Sequence, residues 1–350
     1  KMNTAAGLKD GKKKKDHLVT PDYPYQYRDY VLQDIAALHE TLVKGKRAVN
    51  TLNSNLKDEP LKKEKVENYR TRVFFSDELD YMTVVSQLFA PVMAYLMCYP
   101  ETAHSAIGLN AESHDWECVW RFLMRTGERV EADPHCGVAF DFKAFDKTLP
   151  ENLMKMAWEV MIQIAVRMPG YTEHDIRKMR VIADEKTTPF IRFNGTLIQC
   201  NFSHTSGNGC TATVGSIAGL MMLCMAYYKI VDPDGQKGSK ALRHIRSIHL
   251  GDDGVSTVVN TDEHDFNFLT LQETLHGWGI TITMPDKTSK PTKFQNVHDE
   301  DFLKRTFYYC PLRESIVGQL AKKSLFKSML YFLPSNVEVE NVQLGQALGS

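Results

Sequence analysis

The 350-residue sequence predicts an α+β fold whose subdomains interleave along the chain. Three observations point there. Short β-branched runs recur in pairs around turn residues. Apolar stretches of helical length lie between those pairs. No internal repeat or low-complexity linker separates the pieces, so two or three subdomains around one large core are expected.

The elements follow in order. Residues 1–75 are basic and broken by Gly and Pro, with one helix around 30–43. Residues 79–97 read as a buried helix that Pro91 should kink or whose boundary it should shift. A short apolar run at 138–140 reads as a strand delivering Asp141 at its carboxyl end. Residues 153–168 predict a helix with Met156, Val160 and Ile164 on one side, stopped by Pro169-Gly170. Residues 190–200 predict a hairpin turning on Asn194-Gly195. Residues 211–228 carry no charge over 18 positions, the lower limit for a membrane-spanning helix. That segment follows a Gly- and Ser-rich loop and stands alone, so a helix buried in a large core is expected, with no transmembrane segment. Two β-branched-rich runs within 245–259 flank Gly251-Asp252-Asp253-Gly254 and predict a hairpin. Beyond it come a helix at 263–278, a short strand at 280–284, a strand at 302–309 and a helix at 324–332.

Hydrophobic content of 43% is ordinary for a globular chain. A net charge of −1 is a mild surprise for a nucleic-acid enzyme, because a generic binder would be basic. Positive charge is local instead: Lys12 to Lys15, Lys44-Gly45-Lys46-Arg47, and residues 57–72. Seven scattered cysteines without a Cys-x-x-Cys pair argue against a disulfide framework or zinc module and for a reducing compartment. Two glycosylation sequons, at Asn194 and Asn201, read as chance matches without a signal peptide.

The acidic residues carry the chemistry. Asp252 and Asp253 stand side by side in the turn, where like charges repel unless a cation lies between them. Hard oxygen ligands of that kind suit Mg²⁺ or Mn²⁺. A solvated turn explains the pair about as well. Asp141 would add a carboxylate from a second strand, the arrangement that two-metal phosphoryl transfer needs.

Asp141 and Asp146 at the spacing Asp-x-x-x-x-Asp, then Ser206-Gly207-Asn208-Gly209-Cys210-Thr211, then Gly251-Asp252-Asp253, resemble the ordered motifs of positive-strand RNA virus RNA-dependent RNA polymerases, picornavirus-like in detail. The likeness extends to the basic segment 57–72, to Met284-Pro285-Asp286-Lys287, to Phe302-Leu303-Lys304-Arg305 and to Thr4-Ala5-Ala6-Gly7. Those seven segments, in the family's order, cover most of the chain.

The resemblance implies a right-hand polymerase with an antiparallel palm sheet flanked by helices, its fingers and thumb truncated. Its divisions would be fingers with the basic motif at 1–75, a palm helix at 76–100, a fingers–palm connection at 101–135, the palm strand with Asp141 at 136–150, a fingers insertion at 151–205, the palm with its hairpin at 206–310, and a partial thumb at 311–350. It also implies that Asp141 and Asp252 bind two Mg²⁺ or Mn²⁺ ions, with Asp253 supporting the second. A primer 3′-hydroxyl would attack the α-phosphate of a nucleoside triphosphate, with Lys287 as general acid to the pyrophosphate. Lys57, Lys65, Arg70 and Arg72 would line the triphosphate path; their alternation with Glu64 and Glu67 also fits a salt-bridged surface helix. Asp146, Ser206 and Thr211 would contact the nucleotide. Thr4, Gly7, Gly207, Lys304 and Arg305 would contact RNA template and primer. A small protein primer, and a site in the host cytoplasm at membrane-associated replication complexes, come with the resemblance too.

Three departures from the family pattern stand out. Gly215 occupies the position where the family carries an Asn that helps read the ribose 2′-hydroxyl. Ribose recognition therefore falls to Asp146, Ser206 and Thr211, alone or with the nearby Ser216. Leu61 replaces a frequent arginine, and Ala5 replaces a serine. The chain starts inside the Thr4 motif, lacks an initiator Met and ends in Gly349-Ser350, as expected for a core cut from a longer polyprotein. Two other functions compete. A reverse transcriptase shares paired aspartates at a hairpin tip, but Gly251 and Asp146 disfavour it. A catalytically silent RNA-binding module is disfavoured by the presence of all three aspartates.

Overall fold

The computed structural model describes residues 6–7, 11–20, 23–57, 59, 61, 63–201, 204–205, 207, 209–236, 238, 240–330 and 338–348. Thr4, Ser206 and the last two residues of the helix expected at 324–332 lie outside the described residues.

Strands β1 (Leu18–Thr20) and β2 (Gln26–Tyr27) pair near the start and lead into helix α1 (Asp29–Val43). Strands β3 (Thr51–Leu56) and β4 (Val73–Ser76) flank the short α2 (Lys63–Glu67). Then come α3 (Leu79–Cys98), α4 (Pro100–Ala103), α5 (Asp115–Met124), β5 (Gly137–Phe142) and α6 (Phe145–Thr148). Helices α7 (Glu151–Arg167) and α8 (Glu173–Thr187) precede the hairpin of β6 (Phe190–Phe193) and β7 (Thr196–Gln199). After α9 (Thr211–Val231) and α10 (Ala241–His244) comes the hairpin of β8 (Ile245–Leu250) and β9 (Asp253–Val258). The chain closes with α11 (Phe268–Gly277), β10 (Ile282–Thr283), β11 (Arg305–Cys310), β12 (Ser315–Leu320), α12 (Lys322–Leu330) and α13 (Val339–Leu348).

Two four-stranded sheets organise these elements. The central one runs β10-β5-β9-β8 and is antiparallel throughout. The other runs β4-β3-β6-β7, with β3 and β6 parallel. Side chains alternate across a strand, and β5 uses both faces. Val138, Phe140 and Phe142 enter the core beneath α7, α9 and α11, while Ala139 enters a second core with Trp116 of α5, Phe307 of β11 and Ile316 of β12. The sheet is thus covered on both sides, and each large side chain fully buried there stabilises it by roughly 1.5–3 kcal/mol.

Helix α9 runs through the first core, with Val214, Ala218, Met222 and Ala226 all buried. It and α3 are long and apolar enough to cross a membrane by length and composition alone, with 56% and 33% of their most apolar windows buried inside the protein. Pro91 neither ends α3 nor moves its boundary. Leu88, Phe89 and Val92 are anchored in the core around it, and that burial outweighs the missing N–H.

Met156 and Val160, on the side of α7 that the spacing picks out, are exposed; its buried face is Leu153, Met154, Ala157, Trp158, Met161 and Ile162. The wider second stripe, with Trp158 in it, wins the core. Helix α11 begins five residues later than predicted, because the Asn267 side chain accepts from the Leu269 and Thr270 amides and caps it there. Strand β10 is shorter than 280–284, and Phe302 to Lys304 form a turn ahead of β11, with Leu303 and Lys304 both at positive φ. The Asn194-Gly195 turn is as expected, with both residues at positive φ. All seven cysteines are free.

A buried polar network ties distant segments together. Lys186 of α8 pairs with Asp77 ahead of α3, and the Asn50 amide donates to the same carboxylate at 2.7 Å. The neighbouring Glu185 accepts from Tyr81 at 2.8 Å and from the Val49 amide at 2.7 Å.

Candidate active site

The acidic hairpin is tighter than a four-residue turn. Leu250 pairs with Asp253, so Gly251 and Asp252 alone form the tip. Gly251 takes φ +64°, the first position of a type II′ turn, which asks for glycine. Asp253 therefore opens β9 instead of sharing the tip, as had been expected.

Strand register then selects Asp253's neighbour. Phe140 of β5 pairs with Gly254, so the next step along the ladder sets Asp141 beside Asp253. Both residues share the sheet face of Ala139 and Val255 by alternation. On its other side Asp141 pairs with Thr283 of β10. The Asp253 carboxyl is pushed up, first by burial, then by the charge of Asp252, with Asp141 and Asp301 adding and Lys304 opposing. The second of those causes reflects carboxylates brought close together.

Lys287 reaches the cluster from the following turn. Its ammonium lies 2.9 Å from Asp141 Oδ2. The turn is held by Asp286, whose Oδ1 accepts from the Thr288 and Ser289 amides at 3.0 Å each. Lys304 pairs with Asp301 at 3.6 Å and feels Asp253. Arg305 turns elsewhere: its guanidinium donates to the Gly318 carbonyl at 2.8 Å and to Glu112 at 3.1 Å.

Helix α9 backs the hairpin. Ser216, buried, accepts from the Gly251 amide at 3.0 Å and has the Ala212 and His249 carbonyls at 2.9 and 3.2 Å. This corrects the expectation that Ser216 could assist ribose recognition, since its hydroxyl is engaged behind the turn. Gly215 has a steric reason: a Cβ there would lie 3.1 Å from the Gly251 Cα and 3.3 Å from His204 Nε2. The backbone of α9 needs that room.

Asp146 sits in α6, just past Ala144 at positive φ, and its carbonyl accepts from the His204 amide at 2.9 Å. Thr211 opens α9 and donates its hydroxyl to the Thr205 carbonyl at 3.2 Å. Gly207 lies against the Phe75 carbonyl of β4, too close for any side chain. Gly7 abuts Glu78, and the Ala6 carbonyl beside it accepts from the Leu79 amide at 2.8 Å.

The basic segment is mostly not helical. The Lys57 amide donates to the Arg72 carbonyl at 2.8 Å, so the two residues meet at the end of the β3–β4 ladder. Their side chains converge on Glu59, at 3.4 and 3.9 Å. Lys65 lies on α2, and its carbonyl accepts from the Arg70 amide at 2.8 Å. Ser216, His204 and Glu59 were missed as supports by sequence reasoning. Each acts through a contact whose partner lies far along the chain or on a turn, so no periodicity announces it.

Among the described residues no three His, Cys, Asp or Glu side chains already converge as a closed metal site. The donor chemistry fits a hard divalent cation nonetheless: carboxylates from two adjacent strands and a turn, with the Asp253 carboxyl raised first by burial and then by its acidic neighbours.

Known proteins resemble this chain over nearly its whole length. The chain is 22% identical over 316 residues to a replicase polyprotein of Cricket paralysis virus, which covers 88% of it and 17% of the polyprotein. It is 24% identical over 353 residues to a genome polyprotein of Ljunganvirus 1, covering 98% of it and 14% of that protein. The chain thus spans less than a fifth of these relatives. A Sicinivirus 3Dpol RNA-dependent RNA polymerase superposes with a TM-score of 0.74 at 18% identity, over 98% of this chain and 67% of that one. That likeness shows the right-hand α+β polymerase fold. The model of the viral RNA-dependent RNA polymerase family matches residues 1–349, and with the ordered aspartates on adjacent strands of the central sheet this chain belongs to that family.

Proposed function

We infer that this chain catalyses template-directed RNA synthesis from nucleoside triphosphates and replicates a viral RNA genome. The observation that carries the reading is the register that sets Asp141 beside Asp253, one residue from Asp252 at the hairpin tip. Asp141 and Asp252, with Asp253 in support, would hold two Mg²⁺ or Mn²⁺ ions. When bound, such ions lower the pKa of an attacking 3′-hydroxyl and stabilise the leaving phosphate.

The chain's own residues do the rest. Lys287, 2.9 Å from Asp141, is placed to give a proton to departing pyrophosphate. Lys57 and Arg72, aligned by Glu59, with Lys65 and Arg70, line the triphosphate path and oppose its charge. Asp146, Ser206 and Thr211 address the ribose and base. Gly7, Gly207, Lys304 and Thr4 serve the RNA backbone, and Arg305 acts by bracing β11 against β12 through Gly318.

Residues 1–75 and 151–205, from which the sheet β4-β3-β6-β7 is chiefly built, correspond to fingers. The central sheet, from 76–100, 136–150 and 206–310, corresponds to the palm, joined to the fingers through 101–135; residues 311–350 correspond to part of a thumb. RNA template and primer, nucleoside triphosphates and a small protein primer are the partners, at replication complexes in the host cytoplasm. Primer extension on an RNA template with Mg²⁺ or Mn²⁺ tests the reading by comparing wild type with Asp252→Asn. Extension only by wild type is expected. Equal extension by the two overturns the catalytic assignment.

A further inference from the structure

The His204 side chain has no part in the chemistry described above. It is buried, at 6% exposure, and packs edge-on to Phe145. Its backbone amide donates to the Asp146 carbonyl at 2.9 Å. Its ring Nε2 lies 2.9 Å from the Thr211 carbonyl, which can only accept, so Nε2 carries the proton and donates. Burial pushes the imidazole down towards its neutral form, against the raising pull of Thr211, Asp146 and Asp252. The same nitrogen lies 3.3 Å from where a Gly215 Cβ would stand. One residue thus joins the Asp146 turn, the first turn of α9 and the space behind the Gly251 tip.

We propose that His204 is a positioning residue that sets ribose selection, fixing Asp146 relative to Thr211 and filling the room left by Gly215. The inference rests on the polymerase reading. A protein tells ribonucleotides from deoxyribonucleotides through the 2′-hydroxyl, and such discrimination needs its polar groups held at fixed separation. Residue 215 has no side chain to contribute, and Ser216 is turned to the back of the hairpin. The fastening between Asp146 and Thr211 therefore runs through His204, whose backbone amide holds Asp146 and whose imidazole holds Thr211.

The side-chain geometry gives a sharp test. A glutamine amide can donate from near the Nε2 position, whereas an asparagine amide reaches only as far as Nδ1. Single-nucleotide incorporation on an RNA primer-template, with ATP against dATP, gives the kcat/KM ratio for wild type, His204→Gln, His204→Asn and His204→Ala. Loss of one neutral hydrogen bond lowers the ratio by roughly three- to tenfold in the Asn and Ala variants, mainly through KM for ATP, and Gln restores most of it. A purely structural role would lower the melting temperature and the active fraction while leaving the ratio alone. An unchanged ratio in His204→Asn, or a Gln variant no better than Asn, overturns the proposal. Absence of extension by wild type would instead sink the polymerase reading. Thermal stabilisation by ATP against dATP across the same variants then decides His204 by the same ordering: wild type and Gln separated from Asn and Ala, or not.

Discussion

Ser216→Ala tests whether α9 aims the acidic hairpin. The hydroxyl accepts from the Gly251 amide at 3.0 Å and carries one hydrogen, which goes to the Ala212 carbonyl at 2.9 Å or the His249 carbonyl at 3.2 Å. Alanine removes the acceptor and leaves the Gly251 N–H facing the first turns of α9. A fully buried unmet donor costs about 1–3 kcal/mol, and the half-buried Gly251 amide sets that as the ceiling. Expressed wholly in the placement of Asp252 and Asp253, that is on the order of 5- to 150-fold in extension rate. Ser256→Ala is the control. Ser256 is equally buried and donates to Ser247 Oγ at 2.8 Å, yet touches nothing at the tip. Both variants should lose comparable stability in urea, and only Ser216→Ala should lose activity in primer extension. A Ser216→Ala enzyme that extends as fast as Ser256→Ala refutes the reasoning.

Three further outcomes follow from the same structure. Gly215→Ala gains helix propensity but presses on the Gly251 Cα from 3.1 Å, so extension should fall while the melting temperature changes little. Asp77→Ala strands the Lys186 ammonium in the interior and should destabilise the fold by about 3–5 kcal/mol in urea titration. Glu300, buried and faced by Asp299, Asp286 and Asp301, titrates at about 7 when folded instead of near 4.5. A raised folded value means stability is fully present below about pH 4.5 and is lost as pH rises through about 7, a change of roughly 3 kcal/mol. Glu300→Gln should flatten that pH dependence and stabilise the protein at pH 8; an unaltered unfolding profile between pH 5 and 8 refutes the burial argument.

Elements whose signal is local were legible from the residues. The Asn194-Gly195 hairpin forms because two adjacent residues must adopt positive φ, and that demand is written in the dipeptide. Helix α9 was legible because an unbroken apolar run of its length has few other places to go. On α7, Met156, Val160 and Ile164 keep helical spacing as faithfully as the face that is buried. Spacing alone does not choose between two apolar faces; the volume of Trp158 and the helices around it does. The late start of α11 was equally invisible: besides the Asn267 cap, the Phe268 amide donates to the Lys293 carbonyl, a partner far along the chain.

By itself the sequence determined which acids, basic residues and turn glycines are present and in what order, and that order carried the family. Local chemistry suffices for those features, because a turn type, a charge or a β-branched run depends on near neighbours. The tertiary structure alone decided that Asp141 stands beside Asp253, that Lys287 reaches Asp141, and that Arg305 braces a strand. It also decided that Gly215 is a point of close approach filled by His204. Those outcomes depend on strand register and on a helix packed against a turn, and both are set by contacts between residues far apart in the chain.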